Sequence, residues 1–132
     1  MKRRMVLVVG AMLGVLLAGV MSTPASAELK PINRFMVAQL RDVTAIVQSI
    51  VTYDFDALVA ISTDMEKRQR MVMQNPQLSA KTKEFYGQVA DHAGHVAKFA
   101  KEKNKDEVVK HFALLFETCH KCHSEVRDKP QN

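Results

Sequence analysis

The chain is poor in residues that break helices and in patterns that build sheets. Its 132 residues include only 5 glycines and 4 prolines. No run alternates β-branched with polar residues, so half-buried strands have little sequence to draw on. No internal repeat and no low-complexity segment argues for a repeat array or a disordered tail. No paired carboxylates and no nucleophile with its base stand out, so the chain is not expected to be an enzyme. What is abundant is Ala, Leu, Val, Met, Lys, Glu and Gln, a mixture that favours helices. With 47% hydrophobic residues at this length, one modest core and one all-α domain are expected.

The first 27 residues stand apart. Lys2, Arg3 and Arg4 precede an apolar stretch from Met5 to Met21, and Ala25-Ser26-Ala27 supplies the small residues of a cleavage site. This is the three-part layout of a secretory signal peptide cut after Ala27, and it predicts export to a bacterial periplasm. The alternative is a retained anchor, since the stretch approaches the roughly 18 residues of a spanning helix. Cleavage divides the chain into a leader, residues 1–27, and a mature domain, residues 28–132. It removes three basic residues and no acidic one, so the net charge falls from +5 to +2. Nucleic-acid binding and stable membrane association then lose their support. The lysines of KEKNK, Lys101 to Lys105, read as a solvated turn.

The mature chain carries four helical patterns. Ile32, Met36, Leu40, Val43, Val47 and Ile50 recur at four- and three-residue steps behind Pro31, which suits a first helical turn. Asp54 is placed to cap a second helix with Leu58, Ile61, Met65 and Val72 inward, ending before Pro76. Ser79 caps a third, with Phe85, Val89, His92, Val96 and Phe99 on one face. Asn104 or Asp106 starts the last, on which Val108, Phe112, Leu115, Phe116, Cys119, Cys122 and Val126 share a side before Pro130. Short connections between amphipathic helices predict an antiparallel, up-down-up-down four-helix bundle.

The stretch ETCHKCHSE, residues 117–125, holds both cysteines and two of the five histidines. A thioredoxin-like dithiol would want the pair at a helix N-terminus after a strand. Here it lies near a helix C-terminus. A tetrahedral zinc ion cannot be surrounded from five residues of one helix, and no second Cys/His cluster completes a shell. C-x-x-C-H fits a third chemistry, in which Cys119 and Cys122 anchor a haem through thioether bonds and His123 becomes an axial ligand to its iron. One covalently bound haem c, attached near the end of the last helix, is therefore expected.

With CHKCHSEVRDK at the end, the four-helix rhythm, and the passage IVTYDFDAL between the first two helices, the mature chain resembles the cytochrome c-prime family. Members are four-helix-bundle c-type cytochromes whose haem motif lies late rather than early. The resemblance implies that Arg127, on the same helical face as His123, sits beside the proximal ligand or a haem propionate. Val126 stands where relatives commonly have an aromatic residue, and the connection between the second and third helices looks short for the family. Some relatives pair two bundles through their first two helices, so a homodimer is one oligomeric state the resemblance allows.

Function in that family turns on one residue of the first helix facing the iron. An apolar residue leaves iron open to nitric oxide or carbon monoxide, whereas methionine closes it and gives a low-spin electron carrier. Counting back from Thr52-Tyr53, the matching position is Met36, whose other reading is core packing. His92 competes as a second imidazole ligand, against the ordinary reading of a hydrogen-bonded core histidine. His95, His111 and His120 read as surface residues, or as facing the haem edge for the last two. Phe35, Phe112 and Phe116 read as packing residues. The leading expectation is a periplasmic monohaem electron carrier that meets redox partner proteins; the alternative is a five-coordinate gas-binding cytochrome.

Overall fold

Each joint in this chain ends one helix and opens the next within a few residues. The computed structural model describes residues 31–127, with side-chain surroundings given for residues 34–126. The expected leader, residues 1–27, and the expected helix stop at Pro130 lie outside the described residues. Four helices follow in order: α1 (Pro31–Thr52), α2 (Phe55–Met73), α3 (Ala80–Lys101) and α4 (Lys105–Cys122). A π-helical turn, His123–Arg127, continues α4. The described residues contain no strand, and the fold is an all-α packing of these helices. None of the described helices is long and apolar enough to cross a membrane.

The expected caps are present. The Asp54 carboxylate accepts from the Ala57 amide at 3.0 Å, Ser79 Oγ from Thr82 at 3.1 Å, and Asn104 Oδ1 from Glu107 at 3.3 Å. Each satisfies an amide that has no partner inside its helix. Two joints share one design. Tyr53 and Lys103 take left-handed backbone, with φ of 56° and 54°. The amides of the next residues, Asp54 and Asn104, return to Ser49 and Phe99, both at 2.9 Å. This closes the last turn in a Schellman motif. Lys105 Nζ stands 3.9 Å from the centre of the Tyr53 ring, so the two joints meet at one end of the described helices.

Small side chains decide which helices come close. On α3, Ala90, Ala93, Ala97 and Ala100 are buried, and α3 packs closely on both α2 and α4. Gly94 lies on the α2 side, where a Cβ would meet the carboxylate end of Glu66, 2.9 Å from Oε2. Beside that contact Arg70 bridges Glu66 and Asp91, joining α2 to α3. The backbone of α1 keeps a wider separation from the other three helices. It reaches them through longer side chains: Ile46 enters the core, Asp42 pairs with Arg68 of α2, and Phe35 meets Tyr86 edge to face at 5.9 Å.

Three expected inward positions are corrected. Leu40 is 65% exposed and Val47 43% exposed, because α1 turns Val43, Ile46 and Ile50 toward the core instead. Leu40, Val47, Val37 and Val51 form a second, outward apolar stripe. On α4, Leu115 is fully buried and its neighbour Phe116, about 100° further round the helix, is 58% exposed. Of the other expected inward residues, Leu58, Met65, Phe85, Val89, Val96 and Val108 are buried. Met36, Val43, Ile50, Ile61, Val72, His92, Phe99, Phe112, Cys119, Cys122 and Val126 are half-buried, and the side chain of Ile32 lies outside the described residues. Ser62 and Gln69, one above the other on α2, are buried polar residues that an apolar stripe does not reveal.

Leu115→Ala should lower stability by about 2–5 kcal/mol, read from urea unfolding, because a fully buried side chain leaves a cavity. Lys103→Gly should act in the opposite direction by about 1 kcal/mol, since glycine removes the Cβ clash at a left-handed position. An unchanged midpoint for both would contradict the packing and the joint described here.

Candidate functional site

The wider spacing of α1 leaves a cleft toward the open end of the helices. Its walls are Met36 and Gln39 from α1, Phe85, Tyr86 and Val89 from α3, and Cys119, Cys122 and His123 from the end of α4. The cleft encloses only about 20 Å³, and reaches about 280 Å³ of empty space when the open solvent at its mouth is counted. Residues from the beginning and the end of the described chain are thus brought to one place. Met36 and Gln39 lie three apart on one helical face, as do Cys119 and Cys122, while Cys119 and His123 lie four apart.

The local fold positions the α4 donors. Cys119 packs against the core. The His123 amide donates to the carbonyls of Cys119 and His120, and the backbone then widens into the π-helical turn. Such wide turns recur at functional sites because they re-aim side chains. Lys81 holds this turn to the start of α3, lying 3.8 Å from Glu125 and 4.8 Å from the centre of the Phe85 ring. The His123 ring is half-buried and engages no hydrogen bond or ion pair among the described residues.

Both thiols are free and partly buried. Burial first, and then the neighbouring Cys122, pushes the Cys119 thiol up to about 11. Burial and then Glu125 also raise Cys122. Tyr86 is raised by burial and by the two cysteines beside it. All three groups are therefore protonated at neutral pH, and the site offers neutral soft donors rather than an activated thiolate.

The other candidates fall elsewhere. His92 does not line the cleft; its Nδ1 lies 3.4 Å from Nδ1 of His111 across the α3–α4 groove. Burial lowers the pKa of both rings, helped by the charge of His95. His111, expected at the surface or the haem edge, is half-buried in that groove. Arg127 closes the π-helical turn, and its side chain lies outside the described residues. His120 is exposed. Sequence reasoning passed over Gln39 and Tyr86; each shares a helical face with a residue it did single out, Gln39 with Met36 and Tyr86 with Val89.

The two thiols and His123 do not converge at single-metal distances. Among the described residues, the metal-sized group of His, Cys, Asp or Glu donors is His92, His95 and His111. A zinc ion held by the C-x-x-C-H segment is thereby disfavoured by geometry as well as by spacing. Compared with known proteins, the chain matches no family model, no curated protein and no solved structure.

Before any group is attached, iodoacetamide should modify Cys122 faster than Cys119, with the gap closing as pH rises toward 11, where Cys119 ionises. Timed alkylation read by peptide mass spectrometry checks this. Equal rates at pH 8 would contradict the burial of Cys119.

Proposed function

We propose that the protein is a periplasmic monohaem c-type cytochrome of the cytochrome c-prime kind, working as an electron carrier. The observation that carries the reading is the shared cleft, where Met36 faces the Cys119, Cys122 and His123 segment between the apolar walls of Phe85 and Val89. Cys119 and Cys122 would anchor the haem, His123 would be the proximal ligand, and Met36 the distal one. When bound, the haem supplies a one-electron couple between ferric and ferrous iron.

The donor set fits such a group. Two thiols one turn apart on a common face suit a two-point covalent anchor, and a neutral imidazole and a thioether are ordinary axial ligands. Phe85, Tyr86 and Val89 would exclude water from one face, and Gln39 would offer an amide near Met36. The enclosed space of about 20 Å³ is far below the roughly 300–1,000 Å³ typical of ligand pockets, so α1 would have to move away from α3 and α4 to admit a macrocycle. The expected up-down-up-down order is supported by the contact of Lys105 with Tyr53, which places the α1–α2 and α3–α4 joints together. Export would follow from the leader, residues 1–27, and covalent attachment would keep the haem with the secreted chain.

Mass spectrometry of the protein expressed with haem-ligation machinery should find the polypeptide from Glu28 plus one haem. The bare polypeptide mass would remove the basis of the proposal. In the haem-loaded protein a low-spin spectrum with sharp ferrous α and β bands is expected, and Met36→Ala should turn it high-spin and responsive to carbon monoxide. A wild-type spectrum already high-spin and responsive to carbon monoxide would instead assign the gas-binding role, with Met36 off the iron.

A further inference from the structure

His92 and His95 lie one turn apart on α3, and His111 faces them from α4. One ligand nitrogen from each lies within 4.8 Å of the others. His92 and His111 give up water in this groove and gain only weak ring contacts in return.

We infer that His92, His95 and His111 form a binding site for one divalent transition-metal ion of the zinc, copper or nickel class, separate from the C-x-x-C-H cleft. Imidazole suits these ions. The Nδ1 atoms of His92 and His111 are 3.4 Å apart. Two nitrogens bound at about 2.0–2.1 Å to a tetrahedral ion stand about 3.3–3.4 Å apart. The pair already spans one edge of the coordination shell. The ion takes the place of the hydrogen between the two Nδ1 atoms; the ring that held it changes tautomer and carries that hydrogen on Nε2 instead, so both imidazoles bind neutral and no net proton is released.

The surrounding groups prepare the remaining atoms. His111 Nε2 lies 3.6 Å from Glu107 Oε2. This is the carboxylate partner that commonly fixes the outer nitrogen of a metal-bound imidazole. His95 Nδ1 donates to the Asp91 carbonyl at 2.8 Å, which leaves Nε2 with its lone pair. The His95 ring lies nearly parallel to that of His111, at 10° and 4.4 Å between centres. It must turn to point its nitrogen at the ion, and because it is exposed the turn disrupts stacking but no buried contact. Phe99 backs the group, with its ring centre 5.4 Å from that of His111. Three protein ligands leave the fourth position to water, so the ion is exchangeable and clamps α3 to α4.

The site does not depend on the haem reading. It is tested by titrating Zn²⁺ into the full mature protein, with whatever group it carries, by isothermal calorimetry and by thermal unfolding. One ion per chain and a raised melting temperature are expected. His95→Ala, at an exposed position, should keep the fold and lose at least about tenfold in affinity, and Glu107→Gln should weaken binding about tenfold. The absorption spectrum of any attached haem should not change on adding Zn²⁺. No saturable binding, or equal affinity in His95→Ala, overturns the site. A change in the haem spectrum matching the Zn²⁺ titration would place the ion at the cleft instead.

Discussion

The close packing of α3 is the constraint on which the rest of the structure depends. Ala90, Ala93, Ala97 and Ala100, with Gly94 on the side facing Glu66, let the neighbouring helices approach. Dispersion and burial reward that approach, and side-chain volume sets its limit. Larger residues take over toward the start of α3, where Phe85 and Tyr86 face α1. Here α1 can touch the assembly only through its own long side chains. The cleft is thus a consequence of graded side-chain size along one helix rather than of any special loop.

That gradient explains what a linear reading of the chain can and cannot recover. The caps were legible because an Asx or serine side chain acts on an amide three residues away, within reach of local pattern. Asp54, Ser79 and Asn104 all cap as expected. Helix number and most of the core were legible for the same reason. The inward face of α1 was not. Its residues offer two apolar stripes, and only the partner helices decide that Ile46 turns inward and Leu40 outward. Phe116 was misplaced by the same ambiguity, because Leu115 beside it fills the interior. Ser62 and Gln69 escaped because polarity gives no sign of burial. Within the site, the C-x-x-C-H spacing needed no tertiary information, whereas the meeting of His92 with His111 depends on how α3 and α4 align and has no local signature.

The same two helices hold two sets of donors at different heights. On α3 the cleft wall ends at Val89, and His92 follows one turn later; on α4, His111 precedes Cys119 by about 12 Å of helix rise. The sets differ in chemistry as well as place. The histidine group is compact enough for a bare ion, and the Glu107 carboxylate, shared with Lys110, lies beside it. The cleft group is spread over three helices and lined by soft, neutral or aromatic side chains. The histidine donors are therefore compact and the cleft donors spread out, and neither set needs the other to form.

The acidity of the thiols bears on why the cleft would favour a covalent anchor over a bound ion. A metal ligand must be a thiolate, and burial that holds Cys119 near 11 opposes that form directly. A thioether has no proton to lose and no charge to bury, so the same surroundings impose no such penalty on it. Cys122 and Tyr86 are raised for the same cause, so these two neighbours also favour their neutral forms. Low polarity around a redox centre limits solvent reorganisation and helps set its potential. On the proposed reading, the burial that makes these cysteines poor thiolate ligands is what makes their position a good one for a haem.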